Sequence, residues 1–197
     1  IPLYNIYNFA TCPIERLVED GQGMSLRQLL KKPIFAAAII LMICAGASEM
    51  SMAQWASAFA ESALGLTKSV GDLAGACLFA TTMGISRMLY GKFGEKIDLI
   101  KFMLVSGVIC VVSYLLAGLS AMPIWGLVGC VMCGFSVGIM WPGSISITAP
   151  RIPKGGTALF ALLAMAGDMG GAFGPSVVGY FSQHAGDNLQ AGLLTGC

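Results

Sequence analysis

RMLYGKFGEKIDLIKFMLVSGVICVVSYLLAGL, residues 87–119, decides the reading of this chain: a cluster of cations gives way at residue 99 to an apolar run that lasts to residue 119. At ~1.5 Å rise per helical residue, the 21 residues of that run cover the ~30 Å hydrocarbon core of a bilayer. Working outward, runs of similar length occupy residues 34–59 and 70–90 on one side and 124–149 and 158–181 on the other. The expected fold is therefore all-α, a polytopic membrane helix bundle with about five complete spans. The eleven Lys and Arg residues fall mainly between the runs. If successive spans alternate direction, Arg16, Arg27, Lys31, Lys32, Arg87, Lys92, Lys96, Lys101, Arg151 and Lys154 share one side, and Lys68 alone takes the other. The positive-inside rule then places the N-terminal end of the chain in the cytoplasm and sends the first span outward. The protein is expected in a cell membrane, plasma or bacterial inner, as a multi-pass protein.

Composition agrees. Hydrophobic residues make up 56% of the chain and charged residues 11%, with a mean hydropathy of +0.79, whereas about a quarter of a soluble domain is charged. Topology uses every cation, so no basic stripe remains for a nucleic-acid partner. Cys44, Cys77, Cys110, Cys130 and Cys133 lie inside the runs, where cysteine acts as a small apolar residue. Cys130 and Cys133 form a CxxC, but no second pair closes a zinc site; no metal or cofactor is expected.

Residues 1–33 read as a cytoplasmic lead-in and 34–197 as a transmembrane unit. In the lead-in, Ser25 and Gln28 have capping-box spacing, Leu26, Leu29 and Leu30 make one apolar face, and Lys31 and Lys32 meet the headgroups before Pro33. Inner loops are expected at 87–101 and 150–156, outer ones at 61–69, 120–123 and 182–188, with Ser69 and Asp72 at capping-box spacing where the second span starts. None can house a soluble catalytic domain. A new apolar run opens at Leu189 and the sequence stops at Cys197, so the chain reads as a fragment that ends within a further helix.

Gly46, Ser48 and Trp55 of the first span match Gly134, Ser136 and Trp141 of the fourth, and Leu78, Phe79 and Ala80 of the second match Leu159, Phe160 and Ala161 of the fifth. The matched spans run in opposite directions, the arrangement of an inverted three-plus-three repeat, though chance matches are common in apolar sequence. Gly134 with Gly138, Gly167 with Gly171 and Gly170 with Gly174 have the GxxxG spacing that lets helices approach closely in lipid. Pro142 and Pro175 remove amide donors and are expected to kink or locally unwind the fourth and fifth spans.

Two carboxylates lie deep in spans, Glu49 and Asp168. A charge there costs at least ~2.5 kcal/mol, which points to function; a protonated or hydrogen-bonded structural carboxyl is the alternative. Gln54 follows Glu49 on the first span. Trp141, with Pro142, Ser144 and Ser146 nearby, lies too deep for an interface anchor and is a candidate cavity aromatic, with plain packing as the other reading. Glu49, Gln54, Trp141 and Asp168 are thus the candidates for binding a solute or carrying a coupling proton.

The hairpin at 87–98 resembles the basic, glycine-bearing loop of the major facilitator superfamily, whose pattern is roughly Gly, three residues, Asp, a basic residue, any residue, Gly, then two basic residues. Lys92, Gly94 and Lys96 match; Arg87 stands at the first Gly, Gly91 at the Asp and Glu95 at a basic position, as in the weaker copy of C-terminal halves. The resemblance implies a gating latch at Arg87, Gly91, Lys92, Gly94 and Lys96; a tight hairpin whose cations only set topology is the alternative. The five spans then resemble helices seven to eleven, with the start of the twelfth, of a twelve-helix fold. GIMWPGS at 138–144 and GDMGGAFGPSVVG at 167–179 are most similar to the fucose-permease-type branch. That implies alternating-access symport of a sugar-like solute with coupling to protons, in partnership with an N-terminal half. An exporter of drugs or metabolites from the same superfamily is the runner-up. An intramembrane aspartyl protease lacks its second deep Asp, so no enzyme is expected. A non-transporting assembly protein would have no use for deep carboxylates beside broken helices.

Overall fold

The computed structural model describes residues 2–12, 23–65, 67–94, 96–186 and 189–196; Arg16, Glu95 and the last two residues of the outer loop at 182–188 lie outside them. Two short helices lead in, α1 (Pro2–Thr11) and α2 (Leu26–Leu30). The spans are α3 (Pro33–Leu64), α4 (Lys68–Phe93), α5 (Leu99–Leu119), the pair α6 (Pro123–Val137) and α7 (Met140–Arg151), and α8 (Gly156–His184), with α9 (Leu189–Leu194) after them. All five expected spans are present as helices long and apolar enough to cross a membrane.

The expected capping box starts α2: Gln28 N donates to Ser25 Oγ at 3.4 Å and Ser25 N to Gln28 Oε1 at 3.0 Å. Only Leu29 of its apolar face is buried, among Phe35, Ala38, Met42, Ile152, Leu159 and Leu163, while Leu26 and Leu30 are exposed. The ten-residue α1 carried no signal that the sequence reading used. Pro33 opens α3 at its first turn, where no amide is needed, and Gly65 closes it with φ 63°, a left-handed conformation that favours glycine. The second span begins earlier than expected: Thr67 is its N-cap and neither it nor Ser69 caps through a side chain, so the Ser69–Asp72 box does not form. Asp98 caps α5 instead, accepting from Ile100 N at 3.0 Å and Lys101 N at 3.4 Å.

The helices pack through glycine. A Cβ on Gly46 would collide with the Gly167 carbonyl, one on Gly170 with the Ile43 carbonyl, and one on Gly174 would stand 2.7 Å from Ala47 Cα. The small residues of the fifth span therefore meet the first. On the other side, a Cβ on Gly134 would stand 2.6 Å from Phe79 O on α4. The exchange fits an inverted repeat: Gly46 of the first span packs on the fifth, and its match Gly134 in the fourth packs on the second. Two cores result, one around Met52, Tyr114, Cys130 and Cys133 and one around Leu29, Met42, Leu159 and Leu163, with Trp141 packed against both. Tyr114 ties α5 to α3 by donating to Ser48 O at 2.8 Å. Large apolar side chains are exposed on every span, as a lipid-facing surface requires.

Met24 N donates to Lys154 O at 2.9 Å, which joins the lead-in to the turn before α8. The contacts of Gly71 with Glu61 and Gly75 with Ala56 make α3 and α4 antiparallel. The described cations of the expected inner group consequently gather at one end of the bundle, opposite Lys68.

The broken fourth span as candidate functional site

Gly138 and Ile139 separate α6 from α7. The cause stands four residues on: Pro142 has no amide hydrogen, so the Gly138 carbonyl loses its helical donor. The ladder resumes at once, Gly143 N donating to Ile139 O at 2.7 Å. Glycine at 138 is what lets α4 come close, since a Cβ there would stand 2.7 Å from Met83 O and 3.0 Å from Ser86 Cβ. Pro175 behaves differently. The fifth span was expected to kink or locally unwind there as well, and of these the unwinding does not occur: α8 is helical through Pro175, lying along the glycine seam with α3.

Into the gap of the fourth span comes Arg87. Its Nε donates to Gly138 O at 2.9 Å, and its Nη2 lies 3.8 Å from Met83 Sδ. This corrects its place in an inner loop at 87–101. Residues 87–93 are helical and the turn begins only at Gly94, the C-cap of α4, so Arg87 lies within the helix with its side chain turned to the orphaned Gly138 carbonyl. Gly91 and Lys92 occupy the exposed last turn, with Lys92 Nζ 5.5 Å from the Phe93 ring centroid. Lys96 is exposed in the turn. Among the described residues the ion pair is Lys101 with Asp98 at 3.6 Å; Glu95, inside the latch, lies outside them.

Of the four binding candidates, two point into the bundle. Glu49 belongs to the buried stripe of α3 that runs through Met42, Ala45, Met52 and Ala56; it is half-buried, and its Oε2 is buried without a hydrogen-bond partner. Trp141, half-buried, lays its ring on Gly167, where a Cβ would stand 2.5 Å from Cζ2, and its Nε1 is likewise buried and unpartnered. Since Gly167 also receives Gly46, one turn before Glu49, the indole and the carboxyl flank one glycine contact. Gln54 and Asp168 are exposed. They lie one turn to either side of the Met50–Gly171 contact, Gln54 after Met50 and Asp168 before Gly171.

Two cavities among the described residues lie elsewhere. A cleft of about 510 Å³ between α3, α5 and α8 is lined by Ser48, Ser51, Tyr114 and Phe173 among others, and a groove of about 670 Å³ along α5 is almost wholly apolar. Neither touches Glu49, Gln54, Trp141 or Asp168. Sequence reasoning missed three partners: the Arg87–Gly138 bond, the buried and unpartnered Ser86 hydroxyl beside it, and the tie from Thr82 Oγ1 on α4 to Val131 O on α6 at 2.9 Å. A signal for the first was present, in an arginine one turn inside the apolar run at 70–90 and a proline four residues past a glycine.

The family model described as Major Facilitator Superfamily matches residues 13–188. No curated protein and no solved structure matches the chain.

Proposed function

The chain belongs to the major facilitator superfamily, whose model covers most of its length, and from that premise we propose that it moves a small, polar, sugar-like solute by alternating access, with coupling to protons. As a member it is a multi-pass membrane transporter, of a family of transporters rather than enzymes. Our reading makes residues 1–33 a central-loop segment and 34–197 a C-terminal transmembrane half, of the fucose-permease-type branch, that works against an N-terminal half. The observation that carries the site assignment is Glu49: a carboxyl on a buried stripe at mid-span, with an unpartnered buried oxygen, next to a helix whose backbone is interrupted. A carboxyl at that depth must be paired, protonated or wet, and transporters place their sites beside such interrupted helices.

In this proposal Glu49 carries the proton or binds a solute hydroxyl, and Trp141 offers the solute a flat apolar face. Asp168 and Gln54, exposed beside the α3–α8 seam, complete the site where the other half docks. Arg87, Gly91, Lys92, Gly94 and Lys96 form the inner latch.

The test is uptake of a panel of radiolabelled monosaccharides into cells or proteoliposomes under an imposed proton gradient. Glu49→Gln that binds a sugar but no longer accumulates it assigns coupling; loss of binding assigns recognition. Full activity of the Glu49→Gln, Asp168→Asn double variant removes both residues from the mechanism. For orientation, single cysteines at Ser25 and Lys154 are expected to resist an impermeant thiol reagent added outside intact cells, and one at Lys68 to react.

A further inference from the structure

The carbonyl that Pro142 orphans could be satisfied by any short donor. Higher on the same helix pair the link between α4 and α6 is a hydroxyl, Thr82 Oγ1 donating to Val131 O. At Gly138 the donor is a guanidinium instead, a long, charged group drawn into a span where charge is costly. A charge implies something for it to answer. The register of α3 and α4, with Gly71 at Glu61 and Gly75 at Ala56, brings Met83 level with Glu49 and Arg87 one turn beyond. Glu49 Oε2 is buried and without a partner, so a carboxylate oxygen about one turn from the level of Arg87 has no donor of its own.

We propose that Arg87 is the positioning residue of the broken span, closing the α6–α7 break by bonding Gly138 O and opening it by turning to Glu49. Proline makes the break permanent in the covalent sense, while the side chain makes it adjustable: a backbone amide could not leave Gly138, but a guanidinium with several donors can exchange one acceptor for another. The same move would tie the state of Glu49 to the angle between α6 and α7, and Trp141, one residue into α7, would carry the change to Gly167 on α8. The device concerns the site proposed above but needs no solute, so it can fail while the transport reading stands, and the reverse.

The experiment is hydrogen–deuterium exchange of peptides spanning residues 136–146, on the full-length protein in nanodiscs, in a double-mutant cycle. Arg87→Met is expected to speed exchange of the Ile139–Gly143 amides by about tenfold, since the break loses its tether. Pro142→Ala restores an amide aimed at Gly138 O, so in that background Arg87→Met is expected to change exchange by less than about twofold. Glu49→Gln weakens the competing acceptor and should slow exchange of the same amides. Equal effects of Arg87→Met in both backgrounds would reduce Arg87 to a packing or topogenic residue, and unchanged exchange in Glu49→Gln would remove Glu49 as the second acceptor. Should Arg87→Met alone not fold, the double variant with Pro142→Ala must; its failure overturns the proposal too.

Discussion

The fourth and fifth spans each carry a proline well inside an apolar run, Pro142 and Pro175, yet one is two helices and the other is one. Both rings remove the same amide. The difference is in the neighbours. Ahead of Pro175, α8 lies on α3 through Gly167, Gly170, Gly171 and Gly174, a seam so close that bending α8 would part several backbone contacts together. Ahead of Pro142 the span changes company: Gly134 and Gly138 press on α4, while beyond the break Gly143 meets Met103 of α5 and Trp141 meets Gly167 of α8. A proline permits a break, and a change of packing partner with a donor at hand turns permission into structure.

The largest expected effect comes from attacking the seam that joins α8 to α3. Gly46→Leu or Gly170→Leu would drive a side chain into a facing backbone carbonyl, which cannot swing aside. Overpacking ordinarily costs ~1–3 kcal/mol, and these two should sit at or beyond the upper end, seen as loss of monodisperse protein or a collapsed thermal midpoint in detergent. Gly84→Leu is the control, since nothing stands within 4 Å of its Cβ position; equal damage there would mean that the seam is not what holds α8.

Next are the prolines themselves. Pro142→Ala returns a helical hydrogen bond to the turn that lacks one, and a proline's interior penalty is ~3 kcal/mol. A stiffer fourth span is expected, read as a narrower distribution of distances between spin labels at Trp125 and Arg151, with turnover falling more than solute affinity. Pro175→Ala should leave the shape of α8 unchanged and raise stability by ~1 kcal/mol at most, the worth of one hydrogen bond. A change of shape in the second variant and none in the first would reverse the comparison.

The smallest effect sharpens it. Thr82→Val removes the hydroxyl that ties α4 to α6 above the break, but that hydroxyl also bonds its own helix at Leu78 O and Phe79 O. Interhelical bonds of this kind in membranes average ~0.6 kcal/mol, so a small drop in thermal midpoint is expected, with no change in exchange at Ile139–Gly143. A large change at the break would mean that Thr82, and not Arg87 alone, governs it.

What the sequence by itself determined is whatever local quantities decide. Span number and position follow from run length and hydropathy, and the gathering of cations at one end follows from counting charges between runs. The Ser25–Gln28 box and the glycine stripes needed only short-range spacing. The tertiary structure alone decided which partner each glycine stripe meets, that Pro142 breaks its helix and Pro175 does not, that Arg87 leaves the inner turn for Gly138, and that Glu49 points into the bundle while Asp168 is exposed. The reason is physical. In a membrane protein the lipid face and the core face of a helix are both apolar, so periodicity cannot say which way a residue such as Glu49 or Asp168 is turned; only the packing of α3 against α4, α6 and α8 does that.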